Sequence, residues 1–304
     1  IDFLNAHREL LHCTLIAPSS EVLTITRSKR ATYHRIADLI PLPRLLSDIG
    51  PETVFPIFIK PDAMYGSQGA RRVDSLAAFH ANPPDVDDIL LEYLPGEEFT
   101  VDCFSNRHGK LLFSGPRSRE RIRMGTSMHS ESPLEPLLGE LKHYAERIQS
   151  AIPMRGAWFF QVKADAEGIY HLLEIESRIA GTMALHRVQG VNFALLSILD
   201  AYDLDFEIEP ISTGAVIDRA LTNRYSHSIK YDLVYVDLDD TLIIKGRVND
   251  QLIQFLYMSI NQGKKIILIS KSTVPHPEKY LARFRLSQIF DKIHWLKEDE
   301  SKAD

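Results

Sequence analysis

Apolar and polar positions recur along the chain in two periods, which predicts mixed α and β structure. "SKRATYHRIADLIPLP" (28–43) reads as a helix opened by Ser28 and stopped by prolines. Residues 1–50 as a whole read as helices and short strands. "TVFPIFIKP" (53–61) is a continuous apolar run, a buried strand stopped by Pro61. "DDILLEYLPGEEFTVDCFSNRHGKLLFSG" (87–115) reads as strand, Pro-Gly turn, strand, hairpin turn, strand. "PLLGELKHYAERIQSAI" (136–152) has the spacing of an amphipathic helix. "GAWFFQVKADAEGIYHLLEIESR" (156–178) predicts a β-hairpin around "DAEG", and "VNFALLSILDAYD" (191–203) another helix. Near Tyr231 the texture changes. Strand "DLVYVDLDDTL", helix "NDQLIQFLYMSINQG", strand "KKIILIS" and helix "PEKYLARFRL" follow, an alternation that predicts a parallel α/β sheet in a second domain.

Composition narrows the classes. The chain has 304 residues, 44% hydrophobic and 25% charged, an ordinary globular balance with length for two domains. A net charge of −6 gives no reason to expect a nucleic-acid or anionic-membrane partner. Two cysteines, Cys13 and Cys103, cannot form a disulfide framework, which points to a reducing, cytoplasmic setting. No apolar run approaches the ~18 residues of a membrane span, and the N-terminus lacks a signal-peptide pattern. A chain that opens on Ile1 reads as a fragment.

The candidate chemistry begins where the apolar run 53–61 ends in Lys60 and is followed by "GSQG". Gly66 and Gly69 permit positive φ and close backbone approach. Successive N–H groups of such a loop, here Gly66, Ser67, Gln68 and Gly69, can cradle phosphate oxygens, and a lysine at the strand end adds a point charge. The bland alternative is a simple turn.

The hairpin 157–176 carries a second group. Strand alternation places Tyr170, Leu172, Glu174 and Glu176 on one face, the two glutamates about 6.6 Å apart. A two- or four-residue turn would pair Gln161 with Leu172 and make Gln161 a diagonal neighbour of Glu174. A three- or five-residue turn would turn Gln161 away. Oxygen ligands from Gln161, Glu174 and Glu176 suit Mg²⁺; the alternative is the solvent face of an edge hairpin. "RSRERIRMG" spaces Arg117, Arg119, Arg121 and Arg123 at alternate positions. An extended chain would put them on one face, to hold an acidic substrate or acyl phosphate; a solvated basic strand or loop is the alternative.

Together these motifs resemble the ATP-grasp superfamily, most closely its carbamoyl-phosphate-synthase-like branch, over about residues 15–205. The resemblance implies that Lys29 of "SKRATY" and Lys60 of "FIKP" bind nucleotide, Lys60 at the α/β-phosphates, with "GSQG" folding over the β/γ-phosphates. It implies that "LLEYLPGEEFTVD" is a hinge strand, with adenine at Glu92, Tyr93 and Leu94 and the ribose hydroxyls at Glu98. Gln161, Glu174 and Glu176 would ligate Mg²⁺ and Arg178 would face phosphate, with Arg178 and Arg121 as catalytic candidates. The family usually has asparagine where this chain has Glu176, which alters the expected metal number and affinity. The implied reaction phosphorylates a small-molecule carboxylate with ATP, and an amine or other nucleophile then displaces phosphate. The cofactors are ATP and Mg²⁺, and a homodimer is compatible with this reading.

"LVYVDLDDTL" resembles the haloacid-dehalogenase (HAD) phosphohydrolase family. That resemblance implies Asp237 as nucleophile, Asp239 as general acid/base, Ser270 as a phosphate ligand, and Lys302 or Lys297 as the phosphate-orienting lysine. An N-capped turn is the bland alternative.

The fold expected is therefore an α+β ATP-grasp fold over 1–228, with 1–20 as the remnant of a preceding domain. A partial α/β HAD-like (Rossmannoid) domain is expected to follow over 229–304 and reads as truncated, since the chain ends before that family's last acidic motif. The function expected is an ATP-dependent carboxylate–amine or –thiol ligase. A HAD-type phosphatase with a regulatory nucleotide site, and a non-catalytic ATP-binding protein, are the rivals. The histidines, among them His143, His171 and His186, show no metal spacing and read as structural or surface residues.

Overall fold

In the computed structural model the chain divides into two compact units, Ile1–Leu221 and Thr222–Asp304. The structure describes residues 2–63, 68–123, 126–133, 137–220, 230–271, 276–297 and 299–300. Gly66, Ser67 and Lys302, named above for phosphate, lie outside them.

The first unit opens with α1 (Asp2–Ala6), α2 (Ser20–Arg27) and α3 (Lys29–Ile36). Ser19 and Ser28 cap α2 and α3 by accepting from the N–H groups of Val22 and Ala31. Among the described residues, the short strands expected before residue 50 reduce to one bridge, Leu45 to Leu91. Pro41 and Pro43 offer no N–H to a ladder there.

β1 (Ile57–Pro61), β2 (Arg71–Val73) and, after α4 (Leu76–Ala81), β3 (Asp88–Glu92) form an antiparallel sheet in the order β2-β1-β3. Alternation along β1 buries Ile57 and Ile59 in a small core and leaves Phe58 and Lys60 on the other face.

β4 (Glu98–Ser105) and β5 (Leu111–Ser118) form a hairpin. β6 (Arg121–Arg123) and β7 (Thr126–Glu131) belong to another sheet, and α5 (Leu137–Ala151) follows. β8 (Gly156–Ala164) and β9 (Tyr170–Glu176) complete a four-stranded antiparallel sheet, β5-β4-β8-β9. Phe99, Val101, Cys103, Trp158, Phe160 and Val162 pack from this sheet into the main core with residues of α2, α3 and α5. On the opposite face Phe104, Phe113, Ala157 and Phe159 join a core with Phe193 and Leu196 of α6 (Phe193–Ala201). Glu98, Thr100 and Asp102 alternate with the main-core residues and share that second face with Gln161 and Lys163. β10 (Val216–Asp218) pairs with β7 to close the third sheet, β10-β7-β6.

Two sequence expectations change here. The run 117–123 is not one strand. β5 ends at Ser118, and Arg121 starts β6 in a different sheet, so Arg117 and Arg121 do not share a face. The hairpin β8–β9 has a five-residue turn, Asp165–Ile169, between the paired Ala164 and Tyr170. That length alone would turn Gln161 away from Glu174. A bulge between Gln161 and Val162 corrects it: Val162 pairs Leu172, Leu173 is extra, and Gln161 pairs Glu174 directly. Leu172 therefore does not share a face with Glu174 and Glu176, as simple alternation implied. It packs in the main core beside Ile175.

The second unit has β11 (Leu233–Val236), a ribbon of β12 (Ile243–Ile244) and β13 (Arg247–Val248), α7 (Asp250–Asn261), β14 (Lys265–Ser270), α8 (Pro277–Arg283) and β15 (Lys292–Trp295). β11, β14 and β15 form the parallel sheet expected from the alternation, in the order β11-β14-β15. Its own core includes Val236, Leu238, Leu256, Ile266 and Leu268. Among the described residues no helix is long and apolar enough to cross a membrane.

Candidate active site

The turn that leaves β1 holds the start of α3. Asp62 accepts from Ser28 Oγ at 2.6 Å and from the Arg30 N–H at 2.7 Å. The Asp62 carbonyl accepts from the Lys29 N–H at 3.2 Å and from Lys29 Nζ at 3.1 Å. One aspartate thus ties the helix cap to the strand end and sets Lys29 beside Lys60. Both lysines are nearly buried, 7% and 8% exposed. Lysines are almost never buried without a compensating role.

Lys60 Nζ donates to the Leu173 carbonyl at 3.0 Å, and the Tyr33 hydroxyl donates to the same oxygen at 3.0 Å. Leu173 is the bulged residue, so the irregularity that turns Glu174 inward also supplies this acceptor. Burial lowers the Lys60 ammonium to about 8, helped by the neighbouring Lys29 and opposed by Glu174. Burial, with Glu174 and Asp62 nearby, pushes the Tyr33 phenol well above its usual range.

Gln161 and Glu174 are cross-strand partners, and Glu176 pairs with Phe159 one step along the same face. Burial raises the Glu176 carboxyl, and Glu174 adds to the rise while Arg178 opposes it. Arg178 Nε donates to Glu176 Oε2 at 3.1 Å, and its guanidinium lies 5.1 Å from the Phe159 ring centroid. Two carboxylates and an amide oxygen on one partly buried face are a donor set that fits Mg²⁺. A cation there would offset both the repulsion and the burial.

Lys29, Lys60, Gln68, Glu92, Tyr93, Leu94, Glu98, Gln161, Glu174, Glu176 and Arg178 all line one cavity of about 510 Å³, within the range of small-molecule sites. Phe58 and Leu91, cross-strand partners, add apolar wall. The Glu92 N–H already donates to the Arg44 carbonyl at 3.1 Å, and its carboxylate accepts from the Arg44 N–H at 2.8 Å. Arg72 stacks on Tyr93, 4.6 Å from the ring centroid. Glu98 is held by Arg119 Nε at 2.5 Å and by Lys163 Nζ at 3.6 Å. Gly69 does not line the cavity, but it takes φ +73° against the Pro61 ring, where a Cβ would approach to 2.9 Å. Arg121 is not brought to the site. It is exposed and donates to Asp218 Oδ1 at 2.8 Å across the third sheet. Arg117 and Arg119 line the cavity in its place, since only they continue from β5. Arg72, Lys163 and Phe159 are wall residues that sequence reasoning did not single out. Asp237 and Asp239 belong to the second unit.

The cavity and the sheets that carry it have counterparts. A family model described as "ATP-grasp in the biosynthetic pathway with Ter operon" matches residues 85–220. Biotin carboxylase from Campylobacter jejuni, solved as a β,γ-ATP complex, superposes with a TM-score of 0.61 at 17% identity, over 71% of this chain and 55% of that one. N5-carboxyaminoimidazole synthetase from Staphylococcus aureus, complexed with ADP, gives 0.58 at 13% identity, over 67% and 59%. The protein has an ATP-grasp fold. The biotin carboxylase domain of 2-oxoglutarate carboxylase from Hydrogenobacter thermophilus, in complex with MgADP, ADP and bicarbonate, shares that ATP-grasp fold with a TM-score of 0.59 at 16% identity, over 71% and 54%. The chain spans a little over half the length of these three structures. No curated protein is a significant match.

Proposed function

We propose that the ATP-grasp unit is an ATP-dependent carboxylate–amine or –thiol ligase, of the carbamoyl-phosphate-synthase-like kind, acting through an acyl phosphate. The observation that carries this reading is the convergence of two buried lysines, Lys29 and Lys60, with Gln161, Glu174 and Glu176 on the wall of one cavity. Adenine fits beside Phe58 and Leu91, against Tyr93, Leu94 and the Glu92 carbonyl. Glu98, fixed by Arg119 and Lys163, offers its carboxylate to the ribose. Lys29 and Lys60 meet the phosphates, with Gln68 on the same cavity wall. Gln161, Glu174 and Glu176 would hold Mg²⁺, which would neutralise phosphate charge during the transfer. Arg178, stacked on Phe159 and paired with Glu176, faces the transferred group. The substrate carboxylate oxygen attacks the γ-phosphorus, the bond to the β,γ-bridging oxygen breaks, and ADP leaves. The amine then attacks the acyl carbon, loses a proton and expels phosphate. Positioning and electrostatics suffice for such a transfer, without a protein nucleophile.

The test is ADP release from MgATP in mixtures of small carboxylic acids and amines. Acid- and amine-dependent ADP that disappears in Lys60→Ala supports the ligase. Tight ATP binding with no turnover in any mixture favours a nucleotide-binding scaffold.

A specific observation favours a second activity in the other unit, a HAD-like phosphate site. β11 and β14 are parallel, with Val236 paired to Leu268, so Asp237 and Ser270 leave adjacent strands at their carboxyl ends. Ser270 is 1% exposed and its Oγ is buried without a hydrogen-bond partner. A phosphate oxygen at that strand end would satisfy it, with Asp237 as nucleophile and Asp239 as the proton donor.

A further inference from the structure

A buried guanidinium of the cavity wall, Arg117, has no part in that phosphoryl chemistry. It is 1% exposed. Its Nε donates to Asp102 Oδ2 at 2.6 Å and its Nη2 to Asp102 Oδ1 at 3.2 Å. Its Nη1 is buried and has no hydrogen-bond partner. Asp102 also meets His186 Nε2 at 3.1 Å. His186 Nδ1 faces Gln189 Oε1 at 2.8 Å, and Gln189 is oriented by donating Nε2 to the Thr213 carbonyl at 2.9 Å. Both ring nitrogens of His186 therefore have side-chain oxygen partners, which fixes the orientation of the ring. Gly115, opposite Asp102 on β5, makes room for the ring: a Cβ there would lie 2.6 Å from His186 Cε1.

An orphaned N–H on a buried guanidinium is unfavourable, and a bound anion relieves it. The nucleotide is not that anion. Arg117 pairs with Thr100, Thr100 with Gln161, and Gln161 with Glu174, so Arg117 stands three strands from the acidic group. At the usual strand spacing that is roughly 14 Å. Phosphates drawn to Lys60 and to a cation at Glu174 would lie on the far side. We propose that Arg117 binds a second anionic group of the acid substrate, so that this site takes diacids in preference to simple monocarboxylic acids. The proposal rests on the ligase reading above. Asp102 and His186 are positioning residues, fixing the guanidinium so that Nη1 meets the substrate.

The probes are the diacids malonate to adipate and the monoacids of equal carbon number, propionate to hexanoate. Their binding is read by saturation-transfer NMR on the full chain with Mg²⁺ and a non-hydrolysable ATP analogue. At least one diacid should bind tenfold or more tightly than its matched monoacid. In the double variant Arg117→Gln/Asp102→Asn, which removes both charges and strands neither, that preference should vanish while nucleotide affinity stays within twofold. His186→Gln should weaken the preferred diacid several-fold and leave its monoacid unchanged, whereas a purely structural role would weaken both. Equal binding of every matched pair, or a preference that survives in the double variant, would overturn the proposal. Failure of the nucleotide analogue to bind at all would instead count against the ligase reading.

Discussion

Gln161 and Glu174 face each other across β8 and β9 because Leu173 is bulged out of the ladder between them. With Leu173 in register, Glu174 would sit opposite Phe160 and point into the main core. The bulge therefore decides whether the two glutamates are cavity residues or buried liabilities. It also frees the Leu173 carbonyl for Tyr33 and Lys60. Acid group and lysine are set by one irregularity.

Glu174→Gln should keep this geometry and remove the charge. The strengthening of ATP binding by Mg²⁺ should then fall at least by the roughly 10- to 100-fold that loss of even an outer-shell metal partner costs. Binding of ADP without Mg²⁺ should change far less. Titration of nucleotide with and without Mg²⁺ checks this, and an unchanged Mg²⁺ effect would remove Glu174 from the metal set.

Lys60, lowered to about 8 chiefly by burial, should impose a pH dependence on ATP binding. Phosphate needs the protonated amine. Affinity should therefore hold below pH 7 and fall as pH rises through 8 to 9, while adenosine affinity stays flat. Lys60→Ala should weaken ATP more than adenosine and abolish the slope. Glu174 supports the Lys60 charge, so Glu174→Gln should move the fall to lower pH. For folding the sign is opposite. An ammonium whose pKa is depressed by folding opposes folding at low pH, and that penalty is relieved as pH rises above 8. The native chain should gain stability relative to Lys60→Met over that range.

Asp62 joins the two lysine-bearing elements through Ser28 and the Arg30 N–H. Asp62→Ala leaves both donors without their acceptor and should cost about 1–3 kcal/mol, read by urea denaturation. ATP affinity should fall through misplacement of Lys29 even though no phosphate contact is removed directly. Native-like ATP binding in a destabilised variant would show that Asp62 serves the fold alone.

Much of this was legible in the sequence. Lys29 follows a cap residue and Lys60 ends an apolar run, and such boundaries carry local chemical signals. The parallel sheet of the second unit was legible from the alternation of strands and helices after Tyr231. The bulge was not, because "DAEG" signals a turn without its length, and a bulge depends on which residue of the partner strand is skipped. Arg117 was not legible as a buried residue either. A run of arginines reads as a solvated strand until Asp102 and His186, distant in sequence, are seen to close around one of them. Arg121 failed for the same reason in reverse: the alternation is real, but the chain changes sheets between Ser118 and Arg121.

The second unit offers a test independent of nucleotide. Asp237 and Ser270 stand at the carboxyl ends of paired parallel strands, and the Asp237 carboxylate accepts from the Leu238 N–H at 2.9 Å, which fixes its rotamer. The loop beyond turns sharply at Asp240, φ 52°. If this end binds phosphate, orthophosphate should stabilise the second unit by mass action, raising its melting temperature as concentration passes the dissociation constant. Ser270→Ala removes the orphaned hydroxyl, so it should raise intrinsic stability slightly while weakening the phosphate effect several-fold. Asp237→Asn should abolish any hydrolysis of an aryl phosphate in Mg²⁺ yet leave the stability of the unit near native. Phosphate stabilisation that is the same in Ser270→Ala and in the native chain would place the anion elsewhere, and the strand-end assignment would fail.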